Sequence, residues 1–463
     1  MLLAGFLHAA EGIIPGAGSQ EDPFIIEDVT DFGTFAETSS YWDTGVFVKL
    51  NTDIDLSGQV FEKAVTAWST STGVRFSGTK YNGTFDGNDK TIQNLTIDGS
   101  YARFVGLFGY IGDDGTVMNL TLSNFNVTGN RYTGGLCGQS TGFIYNCDVS
   151  GQITGGYYTG GLCGYNYYGA VTSGCSADCQ VEGVSCVGVL CGSNASATII
   201  QSKAAGYVYA SYSYAYVGGV CGANGNTEDS YILNCCSSAE VVSDGDYAGG
   251  ACGWNYYGMI AGCYSSGTVT GSEYVGGLAG YNEEGIISNS YSLGDIAADY
   301  TAGGFCGENT GEIINVYSAA ENIDCDDYYV GGLCGYNDYY IEGAFWDISV
   351  CNLTDSDGGQ GCSTTELQQQ AVFAGANWDF TGSSADGTSD IWRMPFNEGY
   401  PILAWQKDIA GDISGEYGVD LEDFSTAASC WQTPDKNGDV NNSGYVDLAD
   451  IMVLAQNWLY GIE

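Results

Sequence analysis

Positive charge is what this sequence lacks most. Among 463 residues only 11 are Lys or Arg against 56 Asp or Glu, a formal net charge of −45. Such a surface repels nucleic acid and anionic lipid, so partners are expected among cations, neutral glycans and proteins. The one histidine, His8, lies in an apolar N-terminal run, which leaves no imidazole elsewhere for a Ser-His-Asp triad or a His-ligated zinc. Proline is down to five residues, which excludes collagen and proline-rich linkers even though glycine reaches 71. No run approaches the ~20 apolar residues of a membrane span. MLLAGFLHAAEG reads as the back half of a secretory signal without its basic start, or as a buried first strand; residues 1–10 are assigned to a signal remnant. The mature protein is expected to be secreted or displayed at the cell surface.

What is present is a phrase that returns. Aligned on its glycines, it reads YTGGLCGQS at Tyr132, YTGGLCGYN at Tyr158, CVGVLCGSN at Cys186 and YVGGVCGAN at Tyr216. It continues as YAGGACGWN at Tyr247, YVGGLAGYN at Tyr274, TAGGFCGEN at Thr301 and YVGGLCGYN at Tyr329, with copies 26 to 31 residues apart. FVGLFGYIG from Phe104 is a more degenerate copy. Each core is followed by a short alternating apolar run between Gly turns, as brief strands require. A unit this small cannot bury its own apolar face, so units must stack, each coil about 4.8 Å beyond the last. The predicted fold is an all-β parallel β-solenoid of about nine or ten coils.

Stacking turns repeated positions into ladders. Asn166, Asn194, Asn224, Asn255, Asn282, Asn309 and Asn337 share one register, where amides hydrogen-bond along the stack and satisfy a buried corner. Cys137, Cys163, Cys191, Cys221, Cys252, Cys306 and Cys334 share another, with Phe108 and Ala279 in other coils, a pattern that favours apolar packing over metal ligation. Neighbouring coils also bring cysteines within bonding range, so ladder disulfides stay open, with pairing undetermined. Tyr132, Tyr158, Tyr216, Tyr247, Tyr274 and Tyr329 form an aromatic ladder that either packs on the wall or offers a strip for sugar rings or a partner protein. Asp246, Glu273 and Asp299 flank it in three consecutive coils, as a solvated acidic edge or a cation-bridged one.

The GGLCG and GGLAG cores, the stretch GTFDGNDKTIQNLTI and the exit FWDISVCNLTDSDGGQGCSTTELQQ with WDF and IWRMPFNEGYPILAW resemble bacterial GLUG-motif repeat proteins. The resemblance runs from about Ala17 to Trp405 and implies a right-handed extracellular β-solenoid, often in surface or adhesive proteins without established catalysis. EDPFIIEDVTDFGTFAE with FVKLNTDIDLSG resembles that family's start, a helix and strand that cap the first coil; a solenoid needs such a cap because its end is an open edge. The chain is thus divided into an N-terminal cap with first coils (11–100), a repeat solenoid (101–347), a C-terminal solenoid cap (348–407) and a tail (408–463).

In the tail the glycine pairs vanish. DVNNSGYVDLAD places Asp439, Asn441, Ser443, Asp447 and Asp450 at positions 1, 3, 5, 9 and 12 of an EF-hand-like loop, with Gly444 at the sharp turn and Tyr445 offering its carbonyl. An earlier copy, DISGEYGVDLED, offers Asp412, Ser414, Glu416, Asp420 and Asp423, but Tyr417 stands where the turn wants glycine. Both loops are expected to bind Ca2+. Ile451, Leu454, Ala455, Trp458 and Leu459 fall on one face of a following helix. The two copies, 27 residues apart, resemble a type I dockerin. That resemblance implies a small α-helical calcium-binding domain that docks a cohesin-like protein, with recognition pairs at Leu421 and Glu422 and at Leu448 and Ala449.

The functional expectation is a non-catalytic, exported repeat protein, adhesive, structural or part of a matrix, assembled through its calcium-dependent tail. The alternatives are a polysaccharide-active enzyme on a β-helix and a glycan-binding module. A lyase would need a cationic base, yet Lys203 is the only Lys or Arg between Arg131 and Arg393. A glycosidase carboxylate pair is compatible with an acidic wall of closely spaced coils.

Overall fold

A computed structural model describes residues 14–406, apart from 72, 228, 326–328, 383–386, 388 and 396–398, together with residue 446. The chain forms two compact units, Met1–Cys362 and Ser363–Glu463. The signal remnant at 1–10 and every proposed calcium ligand of the tail lie outside the described residues.

The first unit is a parallel β-solenoid. Two of its sheets hold nine strands each, and a third, 24-stranded sheet covers the remaining wall. The strands that begin with the cysteine register run from Phe108–Ile111 to Cys334–Asn337, every neighbour parallel and in register. The repeat glycines turn the chain between the two smaller sheets. A Cβ at Gly276 would stand 2.0 Å from the carbonyl oxygen of Ala279, so only glycine lets this corner close.

The solenoid has about 11 turns, more than the nine or ten predicted. The difference lies at the ends. Phe24–Ile26 pairs with Phe47–Leu50, which pairs with Thr84–Gln93, and at the far end Gln360–Cys362 pairs with Phe345–Asp347. These rungs extend only the largest sheet and lack the double glycine, so the repeat pattern does not mark them. A short helix, Val29–Glu37, accompanies the first rungs; Asp28 caps it by accepting from the amides of Thr30 and Asp31.

The core is a column of Val, Ile, Leu and Ala, almost all of them sealed from solvent. Inside it Tyr264, Tyr291 and Tyr317 stack with ring centroids 5.0 and 4.9 Å apart and planes within 6° and 7°. A second device shapes the long wall. Asn119, Asn146, Asn234, Asn289 and Asn315 adopt left-handed backbone, as do Gly174 and Gly262 in intervening coils. Asn and Gly tolerate this conformation best, and they turn the strands of this wall sharply in every one of these coils but one, where Gln201 takes the position.

The second unit has its own small aromatic core. Trp378 and Trp392 lie 4.3 Å apart beside Phe373 and Phe380, and Trp392–Arg393 pairs antiparallel with Ile402–Leu403.

Candidate ligand-binding face

The asparagine register forms an unbroken chain of amides. Asn166 Nδ2 donates to Asn194 Oδ1, Asn194 to Asn224, Asn224 to Asn255, Asn255 to Asn282 and Asn282 to Asn309, each at 2.8 Å, and Asn309 donates to Asn337 at 2.7 Å. The second amide hydrogen goes to a backbone carbonyl of its own corner, Ala197 at 3.0 Å or Gly258 at 3.0 Å for example. All but Asn337 are fully buried. With both hydrogens and the oxygen engaged, this column holds the corner and has nothing left for a ligand.

The seven register cysteines point inward and are at most 2% exposed. In the closed coil burial and a neighbouring thiol push those of Cys163 and Cys221 well up as long as they are free thiols.

The tyrosines lie on the other side of the wall. Phe104, Tyr132 and Tyr158 stack at 4.7 and 5.2 Å, and Tyr216, Tyr247 and Tyr274 at 5.0 and 5.2 Å. Cys186 and Thr301 hold the same register, so the strip is broken into blocks rather than continuous, with Tyr329 alone beyond Thr301. The guanidinium of Arg131 sits 5.1 Å from the ring centres of both Tyr132 and Tyr158, a cation–π contact that fixes the first block.

A second aromatic column runs alongside, one residue before the asparagines: Tyr165, Trp254 and Tyr281, with Gln139, Ser193, Ala223, Glu308 and Tyr336 in the other coils. Trp254 lies 4.7 Å from Tyr216 and 4.7 Å from Tyr256. Tyr281 lies 6.0 Å from Tyr247 and 5.9 Å from Tyr274. Residues 216 to 281 therefore carry a half-buried aromatic patch two columns wide. Its signal in the sequence is the variable residue of CGxN, where aromatics recur among small residues.

Acidic groups rim this patch. Burial raises the carboxyl of Asp246, and burial and then Asp246 raise that of Glu273. Glu308 is likewise raised, chiefly by burial, against the opposing hydrogen bond from Tyr274 and with added repulsion from Glu273 and Glu283. Tyr274 is pushed up to about 12 by burial and then by Glu308. Asp299 instead accepts from the Ser272 hydroxyl at 3.1 Å. Among the described residues no group of three or more His, Cys, Asp or Glu is gathered as a metal cluster.

Beside the patch lies an open groove of about 870 Å³ lined by Tyr257, Tyr281, Glu283, Glu284, Glu312 and Asp338 among others. With Tyr231 at one end and Tyr339 at the other, the lining comes from five successive coils, so the groove runs about 19 Å along the stack. Trp254 Nε1 donates to Glu283 Oε2 at 2.9 Å, and the hydroxyls of Tyr281 and Thr310 lie 3.3 Å apart, which fixes two of its walls.

Comparison with known proteins places these observations. The GLUG motif profile matches residues 244–270 and 271–297. Halomucin of Haloquadratum walsbyi is 32% identical over 146 residues, 31% of this chain and 2% of that protein. A protein of Evansella cellulosilytica, described as a Gly-rich membrane protein, is 29% identical over 137 residues, 29% of this chain and 15% of that one. The chain thus spans a small fraction of the curated relatives it matches. Among solved structures, one described as an immunoglobulin A1 protease from Bacteroides ovatus has a TM-score of 0.40 at 17% identity, covering 85% of this chain and 95% of that one. Another, described as an IgA1 protease, has a TM-score of 0.36 at 16% identity over 75% of this chain and 24% of that one. The chain carries GLUG motif repeats on a parallel β-solenoid.

Proposed function

We propose that this chain is a non-catalytic repeat protein of the cell exterior, an adhesive, structural or matrix component whose solenoid presents a ligand-binding wall. The observation that carries this reading is the asparagine column: the recurrent polar residue of the repeat is buried, and its hydrogen bonds go to the amides of neighbouring coils and to carbonyls of its own corner. A motif spent on stacking serves length and rigidity. The halomucin and Gly-rich membrane protein similarities support a surface role. In this proposal the tail binds Ca2+ through Asp439, Asn441, Ser443, Tyr445, Asp447 and Asp450, with the earlier loop as a second site, and docks a cohesin-like partner.

Calorimetry of Ca2+ binding to the full chain, beside Asp439→Ala and Asp450→Ala variants, tests the tether. The reading predicts binding that both substitutions remove; unchanged binding in the variants would refute it. Incubation of the chain with a polysaccharide panel tests the absence of catalysis, for which new reducing ends or unsaturated products would be the contrary result.

The groove favours a second role within this reading, binding of an extracellular glycan. Tyrosine rings offer flat apolar faces to sugar rings, and carboxylates accept hydrogen bonds from their hydroxyls. Retention of a neutral glycan without turnover, lost in Tyr281→Ala, is the expected result.

A further inference from the structure

A second inward column of small residues lies on the long wall, apart from the cysteine register described above. The strand registers place Leu120 opposite Cys147, Ser176 opposite Asp148 and Lys203, and Cys236 opposite Lys203 and Tyr264. One residue earlier in each coil the column therefore reads Cys147, Cys175, Ser202, Cys235 and Cys263, followed by Ser290 and Val316. The amide of Cys175 donates to Ser202 Oγ at 3.2 Å, that of Cys235 to Cys263 Sγ at 3.4 Å and that of Cys263 to Ser290 Oγ at 3.1 Å, which confirms the alignment.

The two columns are filled in step. One coil holds Cys137 and Cys147, and the next holds Cys163 and Cys175. The following coil has Cys191 but Ser202. Then one coil holds Cys221 and Cys235, and the next Cys252 and Cys263. The coil after that has neither, with Ala279 and Ser290. Coils with a cysteine in both columns thus occur as adjacent couples, separated by a coil with no thiol in the second column. Cys306 and Cys334 form a last couple in the first column, isolated from Cys252 by Ala279.

We propose that these couples are disulfide staples: Cys137 with Cys163 and Cys147 with Cys175 joining one pair of coils, Cys221 with Cys252 and Cys235 with Cys263 joining another, and Cys306 with Cys334 joining a third. Parallel in-register strands sit about 4.8 Å apart, inside the Cα separation that a disulfide spans. The sulfurs of Cys137 and Cys163 are 3.4 Å apart as thiols. In the coil of the unpaired Cys191 the second column takes serine, whose hydroxyl donates to the Ile200 carbonyl at 2.9 Å; pairing accounts for that serine falling in the coil whose first-column cysteine is odd.

The chemistry is thiol–disulfide exchange. Each couple loses two protons and two electrons as its S–S bond forms, and an incoming small-molecule or protein disulfide accepts them and leaves as two thiols. All ten sulfurs belong to residues at most 2% exposed, so exchange must precede closure of the coil, and the finished bonds are then shielded from reductant. An oxidising exterior is where such bonds persist. Each staple closes a segment of nearly one repeat and holds two coils together against fraying from the solenoid ends.

The test uses the full chain exported to a bacterial periplasm and, in parallel, refolded with reduced and oxidised glutathione. Alkylation in denaturant without reductant, followed by mapping of linked peptides, should find the five named links, with ten of the 18 cysteines blocked. Cys191→Ser should leave the map unchanged, and reductant should lower the unfolding midpoint. Alkylation of all 18 in both preparations, or links through Cys191 to Cys163 or Cys221, would overturn the proposal.

Discussion

The asparagine column and the tyrosine column are equally periodic in the sequence, yet they serve the molecule differently. Asn224, Asn255 and Asn282 are buried with every polar atom engaged. Tyr216, Tyr247 and Tyr274 are partly exposed and stack on one another along the outside of the wall. The amide column tolerates no vacancy from Asn166 to Asn337, whereas the aromatic column is interrupted by Cys186 and Thr301 without disturbing the strands. Uninterrupted periodicity marks what stacking requires. Interrupted periodicity marks what the surface presents.

That contrast can be pressed at several positions. Gly276→Val should cost most: its Cβ would fall 2.0 Å from a backbone oxygen that cannot move without its whole strand, a loss of about 3 kcal/mol or more in a urea melt. Asn282→Ala comes next, because it strands the Asn255 amide and the Asn309 oxygen together; about 2 to 4 kcal/mol should be lost, read as a lower urea midpoint at constant slope.

A pH series probes the outer rim. Asp246, Glu273 and Glu308 have raised carboxyl pKa values in the folded chain, so over that window the native state binds more protons than the unfolded one. Their contribution to stability is present below the raised values and lost as pH rises through them. Wild type should therefore gain stability as pH falls from neutrality toward the ordinary values of 3.8 and 4.5, and a Glu273→Gln, Glu308→Gln double variant should gain measurably less over the same range. The smallest effect is expected at Lys49, 3.7 Å from Asp86 on a partly exposed surface: Lys49→Met should change stability by less than about 1 kcal/mol.

Much of this was legible before the fold was seen. The glycine pair fixes the register of Cys137 through Cys334 and of Asn166 through Asn337, because those positions lie at constant offsets from it. The second cysteine column was not legible in the same way. Between the asparagine and the next strand the loop varies in length, so Cys147 and Cys235 do not align by counting from the glycines; the left-handed Asn or Gly just before them is the local marker. Counting the repeat phrase undercounts the coils because the outermost rungs lack it, although a helix and strand are expected at the N-terminal end, and the groove escaped because its walls are gathered from five coils. The Trp254 and Tyr281 column hid in a position that tolerates Ser, Ala and Glu as well.

The central claim, that the buried amides carry the fold while the tyrosines serve the surface, is tested most directly by urea denaturation of Asn255→Ala beside Tyr247→Ala. The account predicts a loss of about 2 to 4 kcal/mol for the asparagine, whose removal leaves buried partners unsatisfied, and no more than about 1.5 kcal/mol for the tyrosine, whose loss removes stacking at the surface. Equal losses, or a larger loss at Tyr247, would contradict it.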